Sequence, residues 1–376
     1  MSLKVLHLID SGGLYGAERM LLTLVEAQQS QGLDPMILSA GEPGIESKGI
    51  EKEADRLGLP ITVWRMKPGL NRSETRRICE WADEWGADII HSHGYKFNIL
   101  MSLFSRFSRK VPVVSTLHGY VHAPRFSRMW VYELLDRLAI SRLDGVIMVG
   151  AAMKKELSTG LIRPRRLTTI RNGLAVDDTQ RKASEPLPEA LAQFFSTHEP
   201  VILGVGRLSK EKGFSHLIDS FREIKQSAPK AGLLIVGDGM LRKDLEDQVA
   251  GLGLGSDVCL PGYCDNVPAL MARSSALVIS SSTEGLPITL LEAMAVRLPV
   301  VSTNVGEISF VLDEGDSGVL VKDPASELVD AIELVLNETE ATHRKTEQAF
   351  HKVSGELSAR SMAEQYLRVY NGVVAS

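Results

Sequence analysis

The chain is short of cysteine, of aromatic residues and of long apolar runs, and each shortage narrows what it can be. Its three cysteines, Cys79, Cys259 and Cys264, are odd in number and scattered over 376 residues. Neither a disulfide framework nor a cysteine-built zinc site is expected, and a reducing cytoplasm is the default compartment. No apolar stretch approaches the roughly 20 residues that cross a bilayer. Leu3–Asp10 is too short and wrongly flanked for a signal peptide, and reads instead as a buried strand. No pair of carboxylates has metal-binding spacing, so no metal is called for, and nothing points to nucleic acid. Hydrophobic residues make up 44% and charged residues 24%, which is ordinary for a globular protein of this length.

What is present is an alternation of short apolar strands with amphipathic helical stretches, the pattern of mostly parallel sheets covered on both faces. Strands are predicted at 4–9, 35–40, 61–66, 88–93, 111–117, 145–149 and 167–171, then at 201–206, 233–236, 258–260, 276–280, 299–303 and 318–322. Between the two sets, Pro186, Pro188 and Pro200 break the pattern over 177–200, which places a boundary near Asp178–Pro188. The expected fold is α/β, with two Rossmann-like domains. One spans 1–178 and another spans 188–358. A final helix, 359–376, is expected to pack back on the first domain. Net charge is −5, yet residues 89–171 hold 14 basic and 4 acidic side chains. That block suits an anionic partner or a solvated basic face. Within it, Phe97, Leu100, Met101, Phe104 and Phe107 recur at helical spacing among Lys96, Arg106, Arg109 and Lys110. Arg125, Phe126, Arg128, Met129 and Trp130 form a similar mixture. Such stretches suit either docking on an anionic membrane or packing on a sheet, and packing is the simpler use.

The richest motif is Glu284-Gly285-Leu286-Pro287-Ile288-Thr289-Leu290-Leu291-Glu292, preceded by Ser280-Ser281-Ser282-Thr283. Pro287 suits a first helical position, where its missing N–H costs nothing. The amides of Ile288, Thr289 and Leu290 then form an anion site at a helix N-terminus, with a carboxylate on either flank. A diphosphate between two hydroxyl-rich groups fits that anatomy: a sugar near one acid and a ribose near the other. Upstream, Gly204-Val205-Gly206-Arg207-Leu208-Ser209-Lys210-Glu211-Lys212-Gly213 brings Arg207 and Lys212 to a strand end, where they could neutralise a diphosphate leaving group. Gly12-Gly13-Leu14-Tyr15-Gly16 is a tight turn from strand to helix, without the spacing of a dinucleotide fingerprint. His118 ends one strand and points into the crevice where open α/β sheets bind ligands. His91 and His93 share one face of another strand, with no third metal ligand spaced nearby. Asn172-Gly173 and Gly237-Asp238-Gly239 read as turns or crevice contacts, and Tyr263 could offer a backbone edge to a nucleobase.

Taken together these residues resemble the group-one retaining glycosyltransferases, glycosyltransferase family four, over nearly the whole chain. The resemblance implies the GT-B fold, two domains facing a cleft. It implies that Arg207 and Lys212 hold the donor diphosphate, that Glu292 holds the ribose hydroxyls, and that Gly13 approaches the phosphate. Glu284 and the backbone of Gly285, Leu286, Pro287 and Ile288 would lie beside the transferred sugar, with His118 touching that sugar from the first domain. The implied co-substrate is a nucleoside-diphosphate sugar of the UDP or GDP type, with no cofactor. The implied acceptor is a glycan or a lipid-linked hydroxyl, reached from the cytoplasm or the inner face of a membrane. Val305-Gly306-Glu307 departs from the family pattern, where a second glycine is common. A nucleotide-sugar epimerase of the same fold and a non-catalytic nucleotide-sugar-binding protein are the competing readings.

Overall fold

The computed structural model describes residues 2–67, 69, 71–104, 110–119, 127–150, 164–337 and 339–375. Arg106, Phe107, Arg109, Arg125 and Phe126 of the basic stretches, and the side chain of Arg128, lie outside the described residues. The chain divides into two units, Met1–Gly173 with Ala359–Ser376, and Leu174–Ser358.

The first unit carries β1 (Lys4–Ile9), β2 (Asp34–Gly41), β3 (Ile61–Arg65), β4 (Ile89–Ser92), β5 (Val113–Leu117), β6 (Gly145–Met148) and β7 (Leu167–Thr169) in the order β3-β2-β1-β4-β5-β6-β7. Every pairing is parallel. Strands buried on both faces read as continuous apolar runs, which is why these segments stood out in the sequence. The second unit carries β8 (Val201–Val205), β9 (Gly232–Val236), β10 (Val258–Gly262), β11 (Ala276–Ile279), β12 (Val300–Thr303) and β13 (Val319–Val321), ordered β10-β9-β8-β11-β12-β13. Both sheets reverse direction of growth beside their first strand, at β1/β4 and at β8/β11, and ligands of open α/β sheets bind outside such switch points.

The last helix, Ala359–Val374, belongs to the first unit. Its Met362, Ala363, Tyr366, Tyr370 and Val373 recur at helical spacing and pack with Val5, Met20, Ile89, Val114 and Ile147. Two expectations need correction. The units divide at Gly173/Leu174, ahead of Asp178–Pro188. Residues 177–200 are largely helical, in Val176–Ala183 and Glu189–Thr197, with Pro188 capping the second helix where it was read as part of a linker. The basic stretch 95–110 also resolves in favour of packing where it is described: Phe97, Leu100 and Met101 of the helix Tyr95–Ser102 are buried in the sheet's core.

Candidate active site

In the second unit, the loops leaving β8 and β11 are sewn together at the switch point. Gly213 has φ +65°, and a Cβ there would stand 2.2 Å from the Ser280 carbonyl oxygen. Only glycine permits that approach. The Ser280 hydroxyl donates to the Lys212 carbonyl (2.9 Å), and the Ser282 N–H donates to the Glu211 carbonyl (2.8 Å). Gly237 and Gly239 support the Arg207 loop from behind, since a Cβ would meet Gly206 O at 1.9 Å and Leu208 O at 2.4 Å, respectively. The Gly237-Asp238-Gly239 turn is therefore explained by close backbone packing. Gly306, φ +61°, does the same for the Glu284 and Gly285 backbone, whose Gly285 carbonyl accepts from the Glu307 N–H (3.1 Å).

These contacts aim the side chains. Lys212 Nζ donates to Glu284 Oε1 at 2.6 Å, and the Ser281 hydroxyl donates to the same oxygen at 2.6 Å. Glu284 is only 11% exposed, and both partners meet the same one of its oxygens. Arg207 is exposed and forms no ion pair among the described residues. Glu211 lies beside it; the Ser209 hydroxyl (2.6 Å) holds its carboxyl below the usual range, with backbone N–H and the nearby cations adding. Arg207, Glu211, Lys212, Thr283, Glu284 and Gly285 line a cavity of about 460 Å³.

The helix that heads this cavity runs Ile288–Ala295. Pro287 is its cap, with extended ψ of 124°, and not its first helical residue as expected. The Leu290 N–H donates back to the Pro287 carbonyl (3.1 Å), so the anion-facing amides are those of Ile288 and Thr289, without Leu290. Leu286 and Ile288 turn their side chains onto the core and leave the backbone to face outward. Glu292 lies in the second turn of this helix, half-buried. Tyr263, just past β10, is 66% exposed. Two cations, two helix amides and a serine-braced carboxylate make a surface suited to a diphosphate flanked by hydroxyls.

The first unit has its own crevice at β1/β4. Asp10, Glu42, His93, Gly94, Lys96 and Tyr132 are among the residues lining a cavity of about 620 Å³. Asp10 receives Lys48 Nζ (2.6 Å) and Lys96 Nζ (2.7 Å). These ion pairs, together with the Lys48 and Lys96 hydrogen bonds, hold its carboxyl below the usual range against the opposing effect of burial. Sequence reasoning missed this group, because its three members come from three separate elements. Gly13 is less open to a phosphate than expected. Its N–H donates to Ser11 Oγ (3.2 Å), while Glu18 Oε2 accepts from the Tyr15 N–H (3.0 Å) at the head of the following helix. The Glu18 carboxylate thus closes the head of that helix as a capping box.

His118 stands half-buried at the end of β5, its imidazole pushed down to about 4 by desolvation. The expectation that no third group lies near His91 and His93 fails. β1 and β4 pair in a register that sets His7 opposite His91, and ligand atoms of His7, His91 and His93 come within 4.8 Å of one another. All six ring nitrogens already have hydrogen-bond partners, so a cation here would displace that whole set. Asn172 Oδ1, at the end of the first unit, is buried and has no hydrogen-bond partner among the described residues.

Two family models match the chain: residues 15–178 match Glycosyltransferase Family 4, and residues 190–352 match Glycosyl transferases group 1. The alpha-D-kanosaminyltransferase of Streptomyces kanamyceticus is 25% identical, covering 84% of this chain and 82% of its own length. The lipopolysaccharide core biosynthesis glycosyltransferase LpsE of Rhizobium meliloti is 29% identical over 98% of both chains. Among solved structures, Anabaena HepE in complex with UDP superposes with a TM-score of 0.81 at 21% identity, over 98% of this chain and 100% of that one. That likeness extends the two-sheet fold across the chain.

Proposed function

Because the chain belongs to the group 1 glycosyltransferases, we propose that it moves a hexosyl or N-acetylhexosaminyl group from a nucleoside-diphosphate sugar to an acceptor hydroxyl with retained anomeric configuration. The observation that carries the reading is the joint formed by the 206–213 and 280–288 loops, with Arg207, Lys212 and Glu284 around one cavity and the helix from Ile288 beginning three residues past its Gly285 lining. Departure of the diphosphate builds negative charge, which Arg207, Lys212 and the Ile288 and Thr289 amides stabilise without a metal ion. Without donor, Lys212 neutralises Glu284. When the diphosphate takes Lys212, Glu284 turns to the sugar hydroxyls, with the 285–288 backbone beside it. Glu292 takes the ribose, and Tyr263 lies toward the base. His118 receives a hydroxyl of the sugar. A phosphate contact at Gly13 competes with the Ser11 hydroxyl, which accepts from the Gly13 N–H.

The donor is of the UDP or GDP class. Support for UDP comes from HepE, a fold relative solved with UDP-glucose. The acceptor is a glycan or a lipid-linked hydroxyl of the cell envelope, consistent with LpsE acting in lipopolysaccharide core biosynthesis. Docking on the inner face of an anionic membrane is part of the same proposal. It draws on the exposed Val131, Leu134 and Leu138, which follow one face of the helix Arg128–Ile140. No helix among the described residues is long and apolar enough to cross a membrane. The test is release of nucleoside diphosphate with and without acceptor. Release that depends on acceptor supports transfer, conversion of donor without acceptor supports an epimerase, and neither outcome leaves a binding protein. Flotation with anionic and neutral liposomes tests the docking.

A further inference from the structure

The donor reading uses only one of the four imidazoles gathered in the first unit. We infer that the buried series Gln28–His7–His93 fixes the protonation pattern of His118, so that His118 meets its ligand with a bare Nδ1, an acceptor for a sugar hydroxyl. The ligand half of this inference rests on the proposed role of His118; the protonation half does not.

His7 Nε2 lies 2.8 Å from Gln28 Oε1, His7 Nδ1 lies 3.0 Å from His93 Nε2, and His93 Nδ1 lies 3.4 Å from His118 Nε2, the longest step. A carbonyl oxygen only accepts, so His7 carries its proton on Nε2. A neutral imidazole has one N–H and one lone pair. His7 Nδ1 therefore accepts, and His93 donates to it from Nε2. His93 Nδ1 in turn accepts, and His118 donates from Nε2. The series ends with His118 Nδ1 unprotonated, and that atom has no partner among the described residues. Neutrality throughout is what burial favours. It pushes His7 and His118 to about 4 and His91 and His93 well below their ordinary value.

The same direction runs on through the other side of the cluster. Gln28 Nε2 donates to Tyr370 Oη (3.2 Å), which leaves the Tyr370 hydroxyl to donate to His91 Nδ1 (2.7 Å). His91 Nε2 then donates to Thr116 Oγ1 (2.8 Å), itself 3.0 Å from Tyr366 Oη. Gln28, His7, His93, Tyr370 and His91 each give one hydrogen and take one within the series, while His118 gives one and takes none. Turning the Gln28 amide over would reverse the series and put a proton on His118 Nδ1. The bare nitrogen selects a hydroxyl or another donor at that point of the ligand and disfavours a carboxylate or carbonyl oxygen. Gln28, His7 and His93 are thus positioning residues for His118.

The test is long-range proton–nitrogen correlation on protein carrying nitrogen-15 histidine, with a His118→Asn variant to assign the signal. At pH 7.5 the expected pattern for His118 is Nε2–H with Nδ1 bare. Gln28→Met removes the anchoring oxygen; it should mix the two tautomers of His118 and lower kcat/KM at least tenfold. Gln28→Glu restores an oxygen at His7 Nε2 and should recover the tautomer and most of the lost transfer. A wild-type His118 carrying its proton on Nδ1, or an unchanged pattern in folded Gln28→Met, overturns the inference. If Gln28→Met does not fold, the wild-type spectrum decides alone. Absence of any transfer with the expected spectrum would remove the transferase reading and leave the protonation pattern standing.

Discussion

Lowering the pH should weaken the first unit well before its carboxylates are titrated. His7 is pushed from its ordinary 6.5 to about 4 by burial, against the raising effect of the Gln28 hydrogen bond. Between those values the unfolded chain binds a proton that the folded chain refuses, so stability falls as pH falls. The contribution is complete above pH 6.5 and is lost progressively down to about 4. At pH 5.5, one unit below the unfolded value, refusing that proton costs a clamped imidazole on the order of 1 kcal/mol. Burial lowers His91, His93 and His118 in the same direction, so all four draw on a domain stability that is typically about 5–15 kcal/mol. Carboxylates work in a lower window. Glu51, which Arg65, Ser39 and the Lys48 N–H together hold at about 2 against burial, is lost only as pH falls from 4.5 toward that value. The assay is urea unfolding followed by tryptophan fluorescence at pH 7.5, 6.5 and 5.5. Trp64, Trp81, Trp85 and Trp130 are all the tryptophans of the chain and all belong to the first unit, so the signal reports that unit. A midpoint unchanged between pH 7.5 and 5.5 would refute the neutral, buried cluster.

Four substitutions probe the second unit. Lys212→Ala and Arg207→Ala should each lower kcat/KM for transfer at least tenfold, roughly 1.4 kcal/mol of barrier; unchanged turnover in folded variants would remove the leaving-group role. Glu292→Ala should weaken nucleotide binding in calorimetry with little effect on the melting temperature, and wild-type affinity would contradict the ribose contact. Gly213→Ala forces a left-handed φ of +65° on an L-residue and drives a Cβ to 2.2 Å from Ser280 O. It should cost about 2 kcal/mol or more in chemical unfolding, and a neutral result would mean the two loops are not locked together.

All thirteen strands were legible within two residues, because parallel strands buried on both faces leave apolar runs that need no knowledge of their neighbours. The residues assigned to the donor side stand close in sequence: Arg207 and Lys212 follow β8 on one loop, and Glu284 and Glu292 share one motif that runs from the loop after β11 into the helix Ile288–Ala295. What escaped was whatever depended on pairing between distant elements. His7 and His91 are joined only by the register of β1 on β4. The signal was nonetheless present, since histidines on two strands that this sheet order makes neighbours could have been set side by side. Asp10 with Lys48 and Lys96 was hidden for the same reason. The prolines of 177–200 read as a linker, yet Pro188 caps a helix, and composition alone does not separate those two uses. The glycines at 237 and 239 read as a turn or a crevice contact, and only the structure supplies the backbone they approach.

The account turns on whether the 206–213 and 280–288 loops grip a diphosphate, and a crystal structure of the protein with its nucleoside-diphosphate sugar tests that most directly. The predicted result is Lys212 released from Glu284, with Lys212, Arg207 and the Ile288 amide within hydrogen-bonding distance of phosphate oxygens and Glu284 facing the sugar. A donor bound elsewhere, with the Lys212–Glu284 pair still at 2.6 Å, would contradict it.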